Sequence, residues 1–192
     1  MPQNKLLKSL QILVAVLIFW ALLTAWVQFT GQFKTIVIDS QSNKTACIFF
    51  NPDPIYNLDE QVCLAMADEL KHHGFTTTIM NSSTFSEQSN NFDMYVACAN
   101  TYNFAPDWST TFAVKHIPPG SRVIALTLGS GSTSRAHGIL THAVIKTPCS
   151  MVGDGELWLM RPNDEERLEE SNSSVAGDNA RRLIRKSLLS ID

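Results

Sequence analysis

The sequence predicts a membrane-anchored α/β protein, with one transmembrane helix followed by an open, doubly wound, mostly parallel sheet of about five strands. A stretch of almost wholly apolar residues close to the N-terminus predicts the helix. The rest of the chain alternates short β-type runs with helical segments, and this alternation predicts the parallel sheet. We place the anchor in residues 1–32 and the α/β domain in residues 33–192.

Composition supports one globular domain beyond the anchor. The chain has 192 residues, of which 44% are hydrophobic, and its formal net charge is −3 with both signs interspersed. These values are typical of a folded domain and not of a disordered tail. Because the chain has no excess of basic residues, a nucleic-acid partner is not expected.

The anchor is predicted from residues 10–29, which read LQILVAVLIFWALLTAWVQF. No charged residue lies between Lys8 and Lys34, and the apolar run is long enough to cross a lipid bilayer as a helix. A cleaved signal peptide would have a shorter apolar core that ends in small residues. Here Trp26 and Phe29 continue the run to its end, which favours a retained anchor with aromatic residues at the membrane interface.

The charges that flank the anchor predict its orientation. Lys5 and Lys8 precede the apolar stretch, whereas only Lys34 follows it closely. Cytoplasmic flanks carry more Lys and Arg than flanks on the far side of the membrane. We therefore expect a cytoplasmic N-terminus and an extracytoplasmic domain.

Five apolar, β-rich runs are predicted as strands, and turn signals separate them. They are residues 33–39, 45–50, 75–80, 93–99 and 122–128, with weaker elements at 141–145 and 156–160. Helices are predicted from Asn57 to Gly74, over 109–115 and over 176–191. Asn57 is expected to cap the first helix, with Glu60 completing a capping box.

Ligands of a doubly wound sheet bind at the carboxyl ends of its strands, near the point where the strand order reverses. The segments that follow the three most apolar strands are therefore the candidate binding segments. They are residues 51–57, 100–108 and the Gly/Ser-rich stretch 129–138.

Three stretches resemble the flavodoxin family in order and spacing. TACIFF, with the helix QVCLAMADELKHHGF after it, is similar to the first strand and first helix of that family, and the phosphate loop would lie between them. DMYVACANTY resembles the third strand with its aromatic loop, and RVIALTLGSGS resembles the fourth strand with its Gly-rich loop. The likeness runs from about residue 45 to the C-terminal helix.

The resemblance implies a five-stranded parallel sheet that binds FMN at the strand ends. It also implies electron transfer, or reduction of a quinone or a disulfide, with a redox protein or a quinone as partner. Aromatic side chains of the family stack on the flavin ring. The matching residues here are Tyr102, Phe104 and Trp108, with Gly129, Ser130, Gly131 and Ser132 in the loop whose backbone approaches the ring.

The phosphate loop departs from the family pattern. A phosphate is held there by backbone amides and hydroxyls at a helix N-terminus, but residues 51–57 read NPDPIYN. The two prolines lack amide donors, Asp53 would repel a phosphate, and Asn57 is the remaining candidate contact. A flavin-free binding or interaction module of the same fold is therefore the alternative function, and whether the chain is an enzyme stays open.

Other chemistries find less support. The loop after residue 128 lacks the G-x-S-x-G pattern of α/β-hydrolases, and a hydrolase that uses Asp53 would lack its second acid. His137 and His142 are five residues apart, a spacing that would not place them on one helix face as a pair of metal ligands. The four cysteines form no C-x-x-C pair, so we expect most of them in the core, and disulfides remain an alternative for an exported domain.

Overall fold

The computed structural model describes residues 2–29, 31–87 and 91–190. The elements follow one another along the chain as strands and helices in alternation. The helices are α1 (Pro2–Phe29), α2 (Leu58–His72), α3 (Ser82–Glu87), α4 (Trp108–Ala113, extended by a 3-10 turn over Val114–His116), α5 (Ser134–Lys146) and α6 (Asn172–Leu189). The strands are β1 (Ile36–Ile38), β2 (Lys44–Phe50), β3 (Phe75–Asn81), β4 (Met94–Tyr102), β5 (Ala105–Pro106), β6 (Arg122–Gly129) and β7 (Ser150–Trp158).

Five parallel strands form the centre of the sheet, in the order β3-β2-β4-β6-β7. Numbered by their own sequence, that order is 2-1-3-4-5, and it reverses between β2 and β4. The short strand β1 adds to β3 antiparallel at one edge, and β5 pairs antiparallel with the end of β4. The predicted α/β class with a mostly parallel sheet is confirmed, and the prediction of about five strands holds for the parallel part.

Helices cover both faces of the sheet, which explains why β2 and β4 are continuous apolar runs. On one face, Ile48 and Phe50 pack with Met66 of α2 and Ile184 of α6. On the other face, the side chains of β2 and β4 pack against α3, α4 and α5, and the rings of Phe49 and Phe85 stack with their centroids 4.3 Å apart. All four cysteines are free thiols, and three of them, Cys47, Cys63 and Cys98, are buried as expected.

Helix α5 lies where the sequence predicted a Gly/Ser-rich loop and a weak element at 141–145. Its buried residues are Ala136, Leu140 and Val144, which recur every four residues and face the sheet. Tertiary burial of this stripe outweighs the poor helix propensity of the preceding Gly/Ser stretch. The loop prediction for the second half of 129–138 was therefore wrong.

Strand β7 also differs from its prediction, because it begins at Ser150 and not at residue 156. Gly153 and Gly155 interrupt the apolar pattern there. A Cβ atom at Gly153 would lie 1.9 Å from Ser187 Oγ, so the glycine allows α6 to approach the strand closely. Close packing of α6 therefore explains why glycines lie within this strand, where they obscure its apolar pattern.

The ends of two predicted elements need correction. Helix α2 does follow Asn57, but the Asn57 side chain makes no capping bond and accepts a hydrogen bond from Gln61 Nε2 at 2.9 Å instead. The predicted capping box with Glu60 is wrong. The prediction for Gly74 is confirmed, since this residue ends the helix in a left-handed conformation with φ +81°. The predicted strand 33–39 is reduced to Ile36–Ile38, and residue 191 of the predicted last helix lies outside the described residues.

Helix α1 is long enough and apolar enough to cross a membrane. Its segment Leu7–Phe29 has 23 residues with a mean hydropathy of 2.4, and almost all of its side chains are exposed. Its last turns touch the domain, where Val27 and Gln28 are buried and the Gln28 carbonyl accepts a hydrogen bond from Asn51. The C-terminal end of α1 therefore lies against the loop that follows β2.

Candidate functional site

A pocket of about 330 Å³ lies at the carboxyl ends of β2, β4 and β6, where the strand order reverses. This is the position at which open α/β sheets bind ligands. The domain contributes polar and aromatic lining residues, among them Asp53, Tyr56, Asp59, Asn100, Tyr102 and Ser130. Helix α1 forms the opposite wall through Trp20, Leu23, Thr24 and Val27.

The loop after β2 is organised around the Asp53 carboxylate. Asp53 Oδ1 accepts hydrogen bonds from the amides of Ile55 (2.7 Å) and Tyr56 (3.0 Å), and Oδ2 accepts one from the Tyr102 hydroxyl (2.8 Å). The Asp53 amide itself donates to Asp59 Oδ2 at 2.6 Å. The carboxylates of Asp53 and Asp59 thus accept hydrogen bonds from three amides of this loop.

Asn100, near the end of β4, joins this loop to the start of α4. Its Nδ2 donates to the Asn51 carbonyl and to Asp59 Oδ2, both at 2.8 Å. Asp107 accepts from the Asn100 amide at 3.0 Å and caps α4 by accepting from the Thr110 amide at 2.7 Å. These buried polar groups satisfy one another, which holds the two loops in one arrangement.

The site is acidic, and burial disfavours its charges. Burial raises the pKa of Asp59 to about 6 and the pKa of Asp107 to about 7, and the charge of a neighbouring carboxylate adds to both shifts. Burial, followed by the charge of Asp53, also raises the pKa of Tyr102. Within the described ranges, no Lys, Arg or His lines the pocket. The pocket therefore offers an anionic ligand no cationic side chain with which to pair.

These residues do not fit a flavin phosphate in the phosphate loop. Pro52 and Pro54 lack amide hydrogens, and the amides of Asp53, Ile55 and Tyr56 already donate to carboxylates. The Asp53 carboxylate takes the place that a bound anion would take at these amides. The remainder of the pocket is partly aromatic, with Trp20, Tyr56 and Tyr102 among its lining residues. It also includes Thr101, whose buried Oγ1 has no hydrogen-bond partner among the described residues.

The structure brings together three of the residues predicted for the site. Tyr102, Gly129 and Ser130 line the pocket. The other five, which do not line it, are Asn57, Phe104, Trp108, Gly131 and Ser132. Phe104 points outward with 64% of its surface exposed, and the Trp108 ring packs on Phe29 of α1 with centroids 5.9 Å apart. Contact of any of the eight residues with a ligand stays a prediction.

Sequence reasoning missed the contribution of α1 to the site. Thr24 Oγ1 accepts a hydrogen bond from Asn103 Nδ2 (2.9 Å), and Trp20 Nε1 donates to Asn103 Oδ1 (3.1 Å). Gln28 Oε1 accepts from the Trp108 amide at 3.0 Å. Positions 20, 24 and 28 recur every four residues and so share one helix face. The polar pair Thr24 and Gln28 within an apolar run was the signal that the sequence offered.

No protein-family model matches this sequence, and no curated protein matches it at a significant level. Solved structures do match. Rubredoxin oxygen:oxidoreductase from Desulfovibrio gigas aligns with a TM-score of 0.58 and 12% identity over 78% of this chain and 37% of its own. Flavodoxin 2 from Bacillus cereus aligns with a TM-score of 0.53 and 13% identity over 74% of this chain and 99% of its own. A flavodoxin from Fusobacterium nucleatum, solved with flavin mononucleotide bound, aligns with a TM-score of 0.51 and 19% identity over 74% of this chain and 98% of its own.

The chain thus spans 37% of the D. gigas protein and nearly all of the two flavodoxins. Sequence identity this low shows the fold and leaves activity open. The strand order 2-1-3-4-5 and the pocket at its reversal point agree with these matches. The chain therefore has a flavodoxin-like fold.

Proposed function

We propose that this chain is a membrane-tethered, flavin-free binding module of flavodoxin-like fold. The observation that carries the proposal is the Asp53 carboxylate, which accepts the Ile55 and Tyr56 amides where a phosphate would have to bind. A protein that used this loop for FMN would need those donors free. The acidic pocket instead suits an uncharged or positively charged ligand with a planar or apolar part.

The tether is proposed from α1, with residues 1–32 as the anchor and 33–192 as the domain. Exposed apolar side chains along Leu7–Phe29 would be costly in water and are stable in lipid. The flanking lysines favour a cytoplasmic N-terminus and an extracytoplasmic domain. A flavin would then have to be delivered across the membrane, which is a second reason to favour a flavin-free module.

The second candidate is an FMN-dependent electron-transfer protein, or a reductase of a quinone or a disulfide. It is favoured by Tyr102, Gly129 and Ser130, which line a pocket of about 330 Å³ in the position implied by the family resemblance. In this case the phosphate would have to be bound outside residues 51–57. A redox protein or a quinone would be the partner.

Flavin titration separates the two candidates. We would purify the full chain in a non-ionic detergent, record its visible spectrum, and titrate FMN and riboflavin in parallel by fluorescence quenching. The two ligands differ only in the phosphate. The flavin-free proposal predicts a colourless protein and no saturable quenching by either ligand.

Saturable quenching by FMN that Tyr102→Ala abolishes would contradict the flavin-free proposal. Phe112→Ala is the matched control, because Phe112 is an exposed aromatic residue that does not line the pocket. Quenching by riboflavin alone would mean that the ring fits and the phosphate is excluded. That result would favour a flavin site of altered ligand preference.

The tether is tested separately by extracting membranes at alkaline pH. The full-length chain should stay in the membrane fraction, and a C-terminal tag should be digested by protease added from the extracytoplasmic side. Release of the chain, or an intact mass that lacks the first residues through processing, would contradict the anchor. A protected tag would contradict only the proposed orientation.

A further inference from the structure

We propose that the loops 51–57 and 100–108 are seated in the membrane interface beside α1, so that Ile55, Tyr56 and Phe104 contact lipid. The partner of this surface is the bilayer that α1 crosses. The inference rests on the proposed anchor and adds to it a fixed orientation of the domain. It also means that the pocket at the strand ends opens toward lipid.

The first argument is the level at which the domain meets α1. Asn103 is hydrogen bonded to Trp20 and Thr24, which lie nine and five residues before Phe29, the last residue of the apolar segment. A helix rises 1.5 Å per residue, so this contact lies roughly 8 to 13 Å inside the end of the span. If Leu7–Phe29, which is about 35 Å long, crosses a hydrocarbon core of about 30 Å, the turn at Asn103 reaches at least the depth of the membrane interface.

The second argument is the kind of side chain that these loops expose. Phe104 is 64% exposed, Ile55 is 56% exposed and Tyr56 is 44% exposed. Phe104 also has a left-handed backbone with φ +63°, a conformation that is uncommon for a bulky side chain. Large apolar and aromatic side chains on adjacent loops form a surface that water disfavours, whereas aromatic rings are enriched at membrane interfaces.

The third argument is the absence of outward charge on the same surface. Residues 51–57 and 100–108 contain two charged residues, Asp53 and Asp107. Asp107 is fully buried, and Asp53 is partly buried with its carboxylate bonded to Tyr56 and Tyr102. A surface of this kind can enter the interface without moving an unpaired exposed charge into lipid.

The test measures the lipid contact of single labelled positions in the full chain, reconstituted in phosphatidylcholine vesicles. A Cys149→Ser background removes the one cysteine that is not buried. A polarity-sensitive fluorophore is attached at Phe104→Cys. It is also attached at the control Asn43→Cys, an exposed site in the turn before β2, at the amino ends of the parallel strands and so at the end of the sheet opposite the pocket. A third label at Val14→Cys reports on α1 itself.

We expect lipids that carry a doxyl quencher in the acyl chain to remove most of the emission at positions 14 and 104, with a blue-shifted spectrum at 104. The label at position 43 should be quenched only by aqueous iodide. Lipid quenching at position 14 without lipid quenching at position 104 would overturn the proposal that these loops lie in the membrane interface, and would leave the proposed anchor intact. A blue shift at 104 without lipid quenching would overturn it too, since protein would then cover the surface.

Two further outcomes also refute the inference. Equal lipid quenching at positions 43 and 104 would mean that the domain has no fixed orientation at the membrane. If doxyl lipid does not quench the label at position 14, both the interfacial position of the loops and the proposed anchor are refuted. The three positions therefore distinguish failure of this inference from failure of the proposed function.

Discussion

Acidification should stabilise this protein between pH 8 and pH 5.5, which is the opposite of the usual acid response. The reason lies in the two buried carboxyls of the site, since burial raises the pKa of Asp59 to about 6 and that of Asp107 to about 7, against 3.8 when exposed. The folded state thus binds protons more tightly than the unfolded state. This contribution to stability is fully present below pH 3.8 and is lost as the pH rises through 6 and 7.

The size of the effect follows from the two shifts. As the pH falls from 8 to 5.5, proton linkage should raise the free energy of unfolding by about 2 kcal/mol through Asp107 and about 1 kcal/mol through Asp59, or about 3 kcal/mol together. In urea, where a domain of this size loses roughly 2 kcal/mol of stability per molar denaturant, the unfolding midpoint should rise by about 1 to 2 M.

The assay is urea unfolding of the full chain in a non-ionic detergent at half-unit pH steps, followed by circular dichroism. Asp107→Asn should remove most of the pH dependence, because Asn can still cap α4 but does not titrate. Glu165→Gln, at an exposed position, should leave the pH dependence unchanged. A midpoint that falls or stays constant from pH 8 to pH 5.5 would refute the reasoning about the buried carboxyls.

Three further predictions concern stability, each measured as the urea midpoint at one pH. Gly153→Ala should lower the free energy of unfolding by about 1–3 kcal/mol, because the added Cβ would lie 1.9 Å from Ser187 Oγ. Combining it with Ser187→Gly should restore part of the loss. Phe85→Ala should lower the free energy of unfolding by about 3–5 kcal/mol, because it removes a fully buried ring that stacks on Phe49 with centroids 4.3 Å apart. A loss smaller than that of Gly153→Ala would contradict the place of Phe85 in the core. Asn100→Ala should lower the free energy of unfolding by about 1–3 kcal/mol, because Asp59 loses a buried hydrogen-bond donor. An unchanged urea midpoint would contradict the hydrogen-bond network around Asn100.

Much of the fold followed from local pattern. The apolar runs that became β2, β4 and β6 are buried on both faces, so their composition alone identifies them as central strands. The segments 100–108 and 129–138 were predicted to bind a ligand because they follow the carboxyl ends of such strands, and the family resemblance singled out Tyr102, Gly129 and Ser130 within them. The unusual loop with Pro52 and Pro54 was equally visible.

Other features could not be read from neighbouring residues. Helix α5 was missed because its stripe of Ala136, Leu140 and Val144 is short and follows Gly and Ser, and only burial against the sheet stabilises it as a helix. The first half of β7 was missed because Gly153 and Gly155 interrupt its apolar pattern, and Ser187 of the helix that packs against Gly153 lies more than thirty residues later in the chain. In each case the deciding contact is distant in sequence.

The sequence by itself therefore determined the fold class, the apolar helix and the departure from a phosphate-binding loop, because periodicity, length and missing donors are local properties. Only the tertiary structure decided which groups are hydrogen bonded to that loop and that α1 forms one wall of the pocket. Asp53 meets Tyr102 across 49 positions, and Trp20 meets Asn103 across 83. Such pairings depend on strand order and on the packing of α1, and no local pattern encodes either of them.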